Sequence, residues 1–410
     1  MLSTLSPAVR QYLIVTGNYW AFTLTDGALR MLVVLHFHQL GYSALEVAML
    51  FLFYEFFGVV TNLFGGWLGA RWGLNRTMNI GLGLQLVALA MLLVPASWLT
   101  VVWVMAAQAL SGIAKDLNKM SAKSTIKLLV SDQQQGTLYK WVALLTGSKN
   151  TLKGVGFFLG GLLLTVIGFQ GAVAAMLAML ALVWILSLVT LKQDTGKAKF
   201  KPKFREMLSK SRAINVLSAA RFALFGARDV WFVVALPVFL VTQLQWQQWQ
   251  VGSFLALWVI GYGIVQAFAP RFTRSAVLSL RTLTMIWGTL LTATPLLLIA
   301  GIGSDWPLDS VIIAGLALFG FCFAVNSSLH SYLIVSYARA DGVSLDVGFY
   351  YMANAAGRLL GTVLSGWLYQ TYGLLTCLLV SAILLVCATL AIGQLPLRPT
   401  ENAAHLQGKD

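Results

Sequence analysis

KGVGFFLGGLLLTVIG (residues 153–168) and RLLGTVLSGWLYQTYG (residues 358–373) align without a gap at a constant offset of 205. Lys153 falls on Arg358, Gly156 on Gly361, Gly161 on Gly366 and Gly168 on Gly373. Each stretch is otherwise apolar and reads as part of a membrane helix. A charge near the centre of such a helix costs roughly 2.5–3.5 kcal/mol on insertion scales, so it is a functional candidate by default. A cation repeated across an internal duplication implies a site built between two related halves, and a site that takes an anion.

The rest of the chain agrees with a membrane reading. Its 410 residues are 58% hydrophobic and only 10% charged, against about 25% charged in a soluble domain. Apolar runs of about 20 residues recur along the whole length, the signal of transmembrane helices. Twelve are expected, at approximately 12–38, 44–70, 77–96, 98–122, 139–168, 171–191, 213–241, 250–270, 280–302, 310–338, 346–371 and 373–395. Several exceed the spanning length, which implies tilt or extension beyond the bilayer.

The net charge of +14 is explained by where it lies. The connections assigned to the outside, 39–43, 97, 169–170, 242–249, 303–309 and 372, contain no Lys or Arg. The other face carries Arg71, Arg76, Lys123, Lys127, Lys140, the run from Lys192 to Arg212, Arg271, Arg274 and Arg339. This positive-inside pattern puts both termini in the cytoplasm of a multi-pass inner-membrane protein. The basic surface then meets anionic lipid, and no nucleic acid is expected. The N-terminal MLSTLSPAVR is too short and polar for a signal peptide. Cys322, Cys377 and Cys387 have no metal-ligand spacing, so no disulfide framework, metal or cofactor is expected. The chain offers no nucleophile–base–acid constellation and no nucleotide motif. An enzyme or an ATP-driven pump is therefore not expected, and energy must come from a gradient.

One long polar stretch, KQDTGKAKFKPKFREMLSKSR (192–212), divides the helices six and six. It reads equally as a helix on the inner leaflet or as a solvated connector. The expected organisation is an N-terminal bundle over 1–191, the basic linker over 192–212 and a C-terminal bundle over 213–410. A weaker match pairs Asn118 in DLNKMSAK with Asn326 in AVNSSLHS at an offset of 208. Twelve helices in two repeats with a basic central loop resemble the major facilitator superfamily, an all-α fold of two six-helix bundles related by a pseudo-two-fold axis. The stretch GWLGARWGLNR (66–76) resembles that superfamily's signature loop at Gly66, Leu68, Gly69, Arg71, Gly73 and Arg76. Ala70 stands where the usual Asp would be, so the standard charge latch does not carry over. GFFLGG (156–161) resembles the antiporter motif with Phe157 in place of Pro, and Gln108 stands where an Arg usually precedes Gly112.

Polar residues inside the apolar runs define the candidate site. Arg30 lies about ten residues from the outer end of its helix, roughly 15 Å deep and near the midplane. Asp26, four residues earlier, shares its helical face. The two form either a structural pair or an anion-binding Arg held by Asp26, and Arg suits phosphate-like groups through its planar fork. Arg228 and Asp229 come at a comparable depth on the seventh helix. Paired arginines on these helices resemble the pattern of organophosphate antiporters. Arg221, nearer the cytoplasm, is expected to snorkel to headgroups. Lys115, Lys119, Lys123 and Lys127 form a stripe. Lys115 and Lys119 are assigned to the cavity mouth with Asp116 as local partner, and Lys123 and Lys127 to a solvated basic face. Lys149 and Lys153 share one face of the fifth helix. Lys153 and Arg358 each lie about fifteen residues, roughly 22 Å, from the outer end. They read as substrate or gating residues, or as structural counter-charges. Glu55 is either a proton carrier or the partner of a cavity cation, and His330 is a second proton-coupling candidate. Asp229 and Asn326 complete the coupling or orienting set. His36 and His38 lie near the outer exit as packed or interfacial residues. Trp67, Trp72, Trp98 and Trp103 suit an interface belt. Gly65, Gly66, Gly69, Gly156, Gly160 and Gly161 permit close helix approach.

A closer resemblance covers residues 10 to about 395. GNYWAFTLTDGALRMLVVLHFHQLGYSALEVAMLFLFYEFFGVVTN (17–62), KDLNKMSAKSTIKLL (115–129) and LLTGSKNTLKGVGFFLGG (144–161) resemble the organoarsenical efflux permeases of the ArsJ type. The resemblance implies arsenate resistance. A glyceraldehyde-3-phosphate dehydrogenase partner makes 1-arseno-3-phosphoglycerate, which the permease expels. The expected roles are anion coordination by Arg30, Arg228, Lys153 and Arg358, and capture at the cytoplasmic mouth by Lys115, Lys119 and Lys149. The residues alone reach only a phosphate-like organic anion. A monomer in lipid is expected. The alternatives are a carrier of another phosphorylated or organic anion, and a membrane sensor or lipid-handling protein without flux.

Overall fold

A computed structural model describes residues 7–41, 50, 52–129, 135–191, 196–197, 211–273 and 278–396. In chain order the first helices are α1 (Pro7–Gln39), α2 (Leu52–Trp72), α3 (Leu74–Met91) and α4 (Val101–Leu129). Next comes a helical run over Gln135–Thr190. At 1.5 Å per residue this run is roughly 84 Å long, more than twice the hydrocarbon thickness. It breaks at Gly168, whose φ of 69° and ψ of 179° are not helical. We number its limbs α5 (135–167) and α6 (169–190). The second series is α7 (Arg212–Thr242, interrupted at Val233 and Val234), α8 (Gln248–Phe272) and α9 (Leu280–Ile302). It ends with α10 (Leu308–Tyr337), α11 (Val343–Tyr372) and α12 (Leu374–Gly393).

The twelve expected spans thus correspond to eleven long helices, one of them double. Six are long and apolar enough to cross a membrane by length and composition alone. Among the described residues α1, α2, α3, α4 and α11 do not meet that measure, and of these α1, α2, α4 and α11 carry charges of the site. Closed helices suit a bilayer because every backbone N–H and C=O is bonded within its own segment. No strand occurs among the described residues.

The internal repeat reaches down to backbone angles. Gly373, the partner of Gly168 in the alignment, ends α11 at φ 80° and ψ −177°. Both glycines sit in the left-handed half of φ space, which a β-carbon disfavours, so the same residue makes the same corner twice. Helix contacts repeat as well. α1 packs on α5 and α7 on α11, and α3 pairs with α4 as α9 pairs with α10. Asn118 and Asn326 serve these last two contacts. The Asn118 amide nitrogen lies against Gly81 of α3, and Asn326 donates to the Thr284 carbonyl of α9 at 3.1 Å.

The first six and last six helices meet chiefly through α5 against α8 and α2 against α11. Glycine makes these approaches possible. A β-carbon on Gly66 would lie 2.4 Å from the Ser344 carbonyl, and one on Gly147 would lie 2.4 Å from the Ala267 nitrogen. Ser344 Oγ donates to the Gly66 carbonyl at 2.8 Å. Thr273 Oγ1 bonds Tyr139 at 3.0 Å, Lys127 Nζ donates to the Ser336 carbonyl at 3.5 Å and Asn150 donates to Gln266 at 2.6 Å. These contacts lie at or toward the ends of the helices that carry the basic connections, so the halves are closed together at the basic face. The basic linker expected over 192–212 falls almost wholly outside the described residues, as do Arg274 and the side chain of His38.

Candidate functional site

α1, α2, α7 and α11 bring one chain of charges together at mid-depth between the halves. Arg30 Nη2 of α1 meets Glu55 Oε1 of α2 at 3.2 Å. The same Oε1 accepts from Arg358 Nη2 of α11 at 3.4 Å. Arg358 Nε reaches Asp229 Oδ2 of α7 at 3.1 Å, and Asp229 Oδ1 takes Arg228 Nε at 2.6 Å. Asp229 is fully buried, whereas Arg30, Glu55 and Arg358 are each about a quarter exposed and line the cleft. Three guanidiniums are thus answered by two carboxylates, and Glu55 bridges both halves of the molecule.

This geometry alters several expectations. Glu55 pairs with Arg30 at 3.2 Å, while Asp26, whose charge also acts on Arg30, accepts from the Tyr54 hydroxyl at 2.7 Å. Glu55 takes the second of its two readings, pairing with cavity cations. Lys115 lies over the Tyr54 ring at 3.7 Å and 4.0 Å from Asp116, which also holds Lys119 at 2.5 Å. Asp116 is therefore the local partner that the sequence suggested.

Two corrections concern burial. Lys123 and Lys127, expected on a solvated face, are only 3% and 7% exposed because α4 continues into the closed contact with α5, α10 and α11. Lys123 donates to Thr146 Oγ1 at 3.0 Å and faces the Tyr351 ring at 5.0 Å. Arg221, expected to snorkel, is 3% exposed. It donates to Asn354 Oδ1 at 2.9 Å and to Ser327 Oγ at 3.1 Å, and lies 4.0 Å from the Phe225 ring. A guanidinium that finds two neighbouring helices, α10 and α11, to bond has no need to reach headgroups.

Lys149 and Lys153 point toward the same interface and are partly exposed. Neither has a carboxylate at ion-pair distance among the described residues. The charges acting on Lys149 are those of Lys119, Lys123, Arg358 and Lys115. Those acting on Lys153 are Arg30, Asp26, Lys149 and Arg358. Lys153 also lies over the Phe157 ring at 5.9 Å.

His330 and Asn326 are not brought to this cluster. Both line a narrow crevice inside the second half with Leu224, Thr284, Gly288 and Ala388. His330 is buried there, with Nδ1 lacking a hydrogen-bond partner among the described residues. His36 stacks on Phe169 at 4.1 Å, a packing role. In the signature loop, Gly66 packs on α11, Gly73 turns the chain at φ 97°, Arg71 covers Trp67 at 5.0 Å and Arg76 is exposed. The sequence reading missed Tyr54, Tyr350 and Tyr351, whose rings separate the cations. Tyr351 lies seven residues before Arg358, two turns along one face, which was the available signal. Among the described residues no group of His, Cys, Asp or Glu is placed to hold a metal ion.

Comparison with known proteins places this architecture. A search of curated protein sequences returns no match. Solved structures with the same fold include the human organic anion transporter MFSD10 (TETRAN), with TM-score 0.76 and 17% identity over 95% of this chain and 100% of that one. A bacterial homologue of the iron transporter ferroportin in an outward-facing state aligns with TM-score 0.72 and 14% identity, over 93% and 98% of the two chains. The E. coli fucose:proton symporter FucP gives 0.72 and 11%, over 96% and 100%. At these identities the likeness establishes the fold. The family model for the Major Facilitator Superfamily matches residues 13–278 and 217–410. With helices, repeat and inter-half charges in agreement, the chain belongs to the major facilitator superfamily of membrane transporters.

Proposed function

We propose that this protein is a secondary transporter that exports an arsenylated organophosphate, 1-arseno-3-phosphoglycerate, from the cytoplasm. The observation that carries the reading is that Lys149 and Lys153, beside the Arg30–Glu55–Arg358 bridge, have no carboxylate at ion-pair distance among the described residues. An ammonium drawn partly out of water without a counter-ion is costly, and an anionic ligand supplies what the site lacks. A cationic cargo would be repelled by the same residues. The arsenic itself rests on the resemblance of residues 17–62, 115–129 and 144–161 to ArsJ-type permeases.

In this reading the basic face is cytoplasmic, by the positive-inside pattern, and the molecule is closed on that side. Loading requires the α2–α11 and α5–α8 contacts to part, and release requires them to close again. Lys153 and Arg358 hold the anion from opposite halves, and Glu55 occupies the arginines when the anion is gone. The chain divides into bundles over 1–191 and 213–410 that rock about this site. Everted inner-membrane vesicles supplied with arsenate and the complete glyceraldehyde-3-phosphate dehydrogenase reaction are expected to accumulate arsenic. Accumulation no greater than in vesicles lacking the protein would refute the proposal. Uptake that persists with phosphate in place of arsenate would mark a general organophosphate carrier.

A further inference from the structure

The interface carries its charge in two tiers. In the first, Arg30, Arg228 and Arg358 are answered by Glu55 and Asp229. The second lies one to two turns nearer the basic face, on α4, α5, α7 and α11. It holds Lys119, Lys123, Lys149 and Arg221, and its one acid among the described residues, Asp116, is bonded to Lys119. Aromatic rings space these cations. Lys119 and Lys123 face Tyr351 at 4.8 and 5.0 Å, the Tyr350 and Tyr351 rings are 5.0 Å apart, and Arg221 lies over Tyr350 at 5.3 Å. Ring faces and neutral acceptors such as Thr146 Oγ1, Asn354 Oδ1 and Ser327 Oγ soften the charge without cancelling it. Two further hydroxyls, Tyr350 Oη and Ser218 Oγ, are buried with no hydrogen-bond partner among the described residues. Ser218 lies one turn before Arg221 on α7. The tier is therefore rich in donors and positive charge, and short of anionic acceptors.

We propose that Lys123, Lys149 and Arg221, contributed by both halves of the molecule, form a second anion site that takes a phosphate-like oxyanion when the basic face parts. This rests on the reading of the protein as an anion transporter and gives the cargo a first landing place. Lys123 and Lys149 belong to the first half and Arg221 to the second. An oxyanion that bridges them has different contacts in the open and closed arrangements, which is the condition for occupancy to bias the equilibrium between them. Tetrahedral oxyanions suit the tier because they offer several acceptors to donors arriving from different directions.

The test is the thermal midpoint of the purified full-length protein, titrated with sodium phosphate against chloride of matched ionic strength. Phosphate is expected to raise the midpoint of the unsubstituted protein. Lys149→Gln, which removes a side chain with no ion-pair partner to lose, should raise the half-saturating phosphate concentration about tenfold, as should Lys123→Gln and Arg221→Gln. Arg339→Gln, whose guanidinium pairs with Asp346 outside the tier, should leave it unchanged. If phosphate acts equally on the three tier variants but no longer acts on Arg30→Gln, the oxyanion sits on the arginine chain. The second site is then refuted while anion transport stands. No effect of phosphate or arsenate on the unsubstituted protein would overturn both.

Discussion

The contacts of α1 with α5 and of α7 with α11 use the same backbone device and hold opposite electrostatic arrangements. In the first, Gly27 and Gly156 lie against each other, so that a β-carbon on Gly27 would meet the Lys153 carbonyl at 2.7 Å. In the second, a β-carbon on Gly361 would meet the Gly226 carbonyl at the same 2.7 Å. Each contact presents a cation at the equivalent position. Arg358 is claimed by Asp229 from its own half and by Glu55 from the other. Lys153 is claimed by neither, since Asp26, the acid near it, accepts from Tyr54. Duplication therefore preserved the packing and let the charge diverge. At the equivalent position the second half's cation is paired with carboxylates and the first half's is not, and in the proposed function it is the first half's that a ligand answers.

The largest expected effect breaks the neutralised side. Asp229→Asn leaves Arg228 and Arg358 without their shared carboxylate, and removing one partner of a buried pair costs about 3–5 kcal/mol. Thermal unfolding in detergent checks this, and a midpoint equal to that of the parent would remove the asymmetry. Reversal on the other side comes next. Lys153→Glu should lower arsenic uptake by everted vesicles about tenfold to a hundredfold, the weight of one or two lost charge-assisted contacts, with Lys153→Arg retaining most of it. Uptake unchanged by Lys153→Glu would show that the uncompensated lysine is structural.

A smaller effect separates the halves without touching a charge. Gly66→Ala places a methyl group against the Ser344 carbonyl, so the basic face should close less often. A cysteine at Ser336 should then be labelled about fivefold faster from that face, corresponding to about 1 kcal/mol in the opening equilibrium. The smallest change tests the bridge between the two sides. Glu55 and its arginines are about a quarter exposed, and ion pairs of that kind contribute about 1 kcal/mol or less. Glu55→Gln should lower stability by no more than that while tightening phosphate binding, because the competing carboxylate is gone. Weaker phosphate binding in Glu55→Gln would contradict the role given to Glu55.

Much of the architecture was legible because a bilayer imposes long apolar runs, and because the glycines of the repeat must recur where helices touch. Gly168 and Gly373 could be paired from sequence alone, and they adopt the same corner. The cations could be found one by one, since a charge in an apolar run stands out. Their partners could not. Glu55 lies 303 residues from Arg358 in the chain and 3.4 Å from it in space. Lys123 and Arg221 looked like surface residues because distance along a helix gives depth but not which neighbours close over it.

By itself the sequence determined that this is a membrane-spanning helical protein with two related halves, a basic face and cations within its apolar runs. Those properties follow from hydropathy, spacing and repetition, which are local or periodic. The tertiary structure alone decided which cations are answered and which are left over. That depends on how four helices from two halves converge, which gives Arg358 two carboxylates at ion-pair distance and Lys153 none among the described residues.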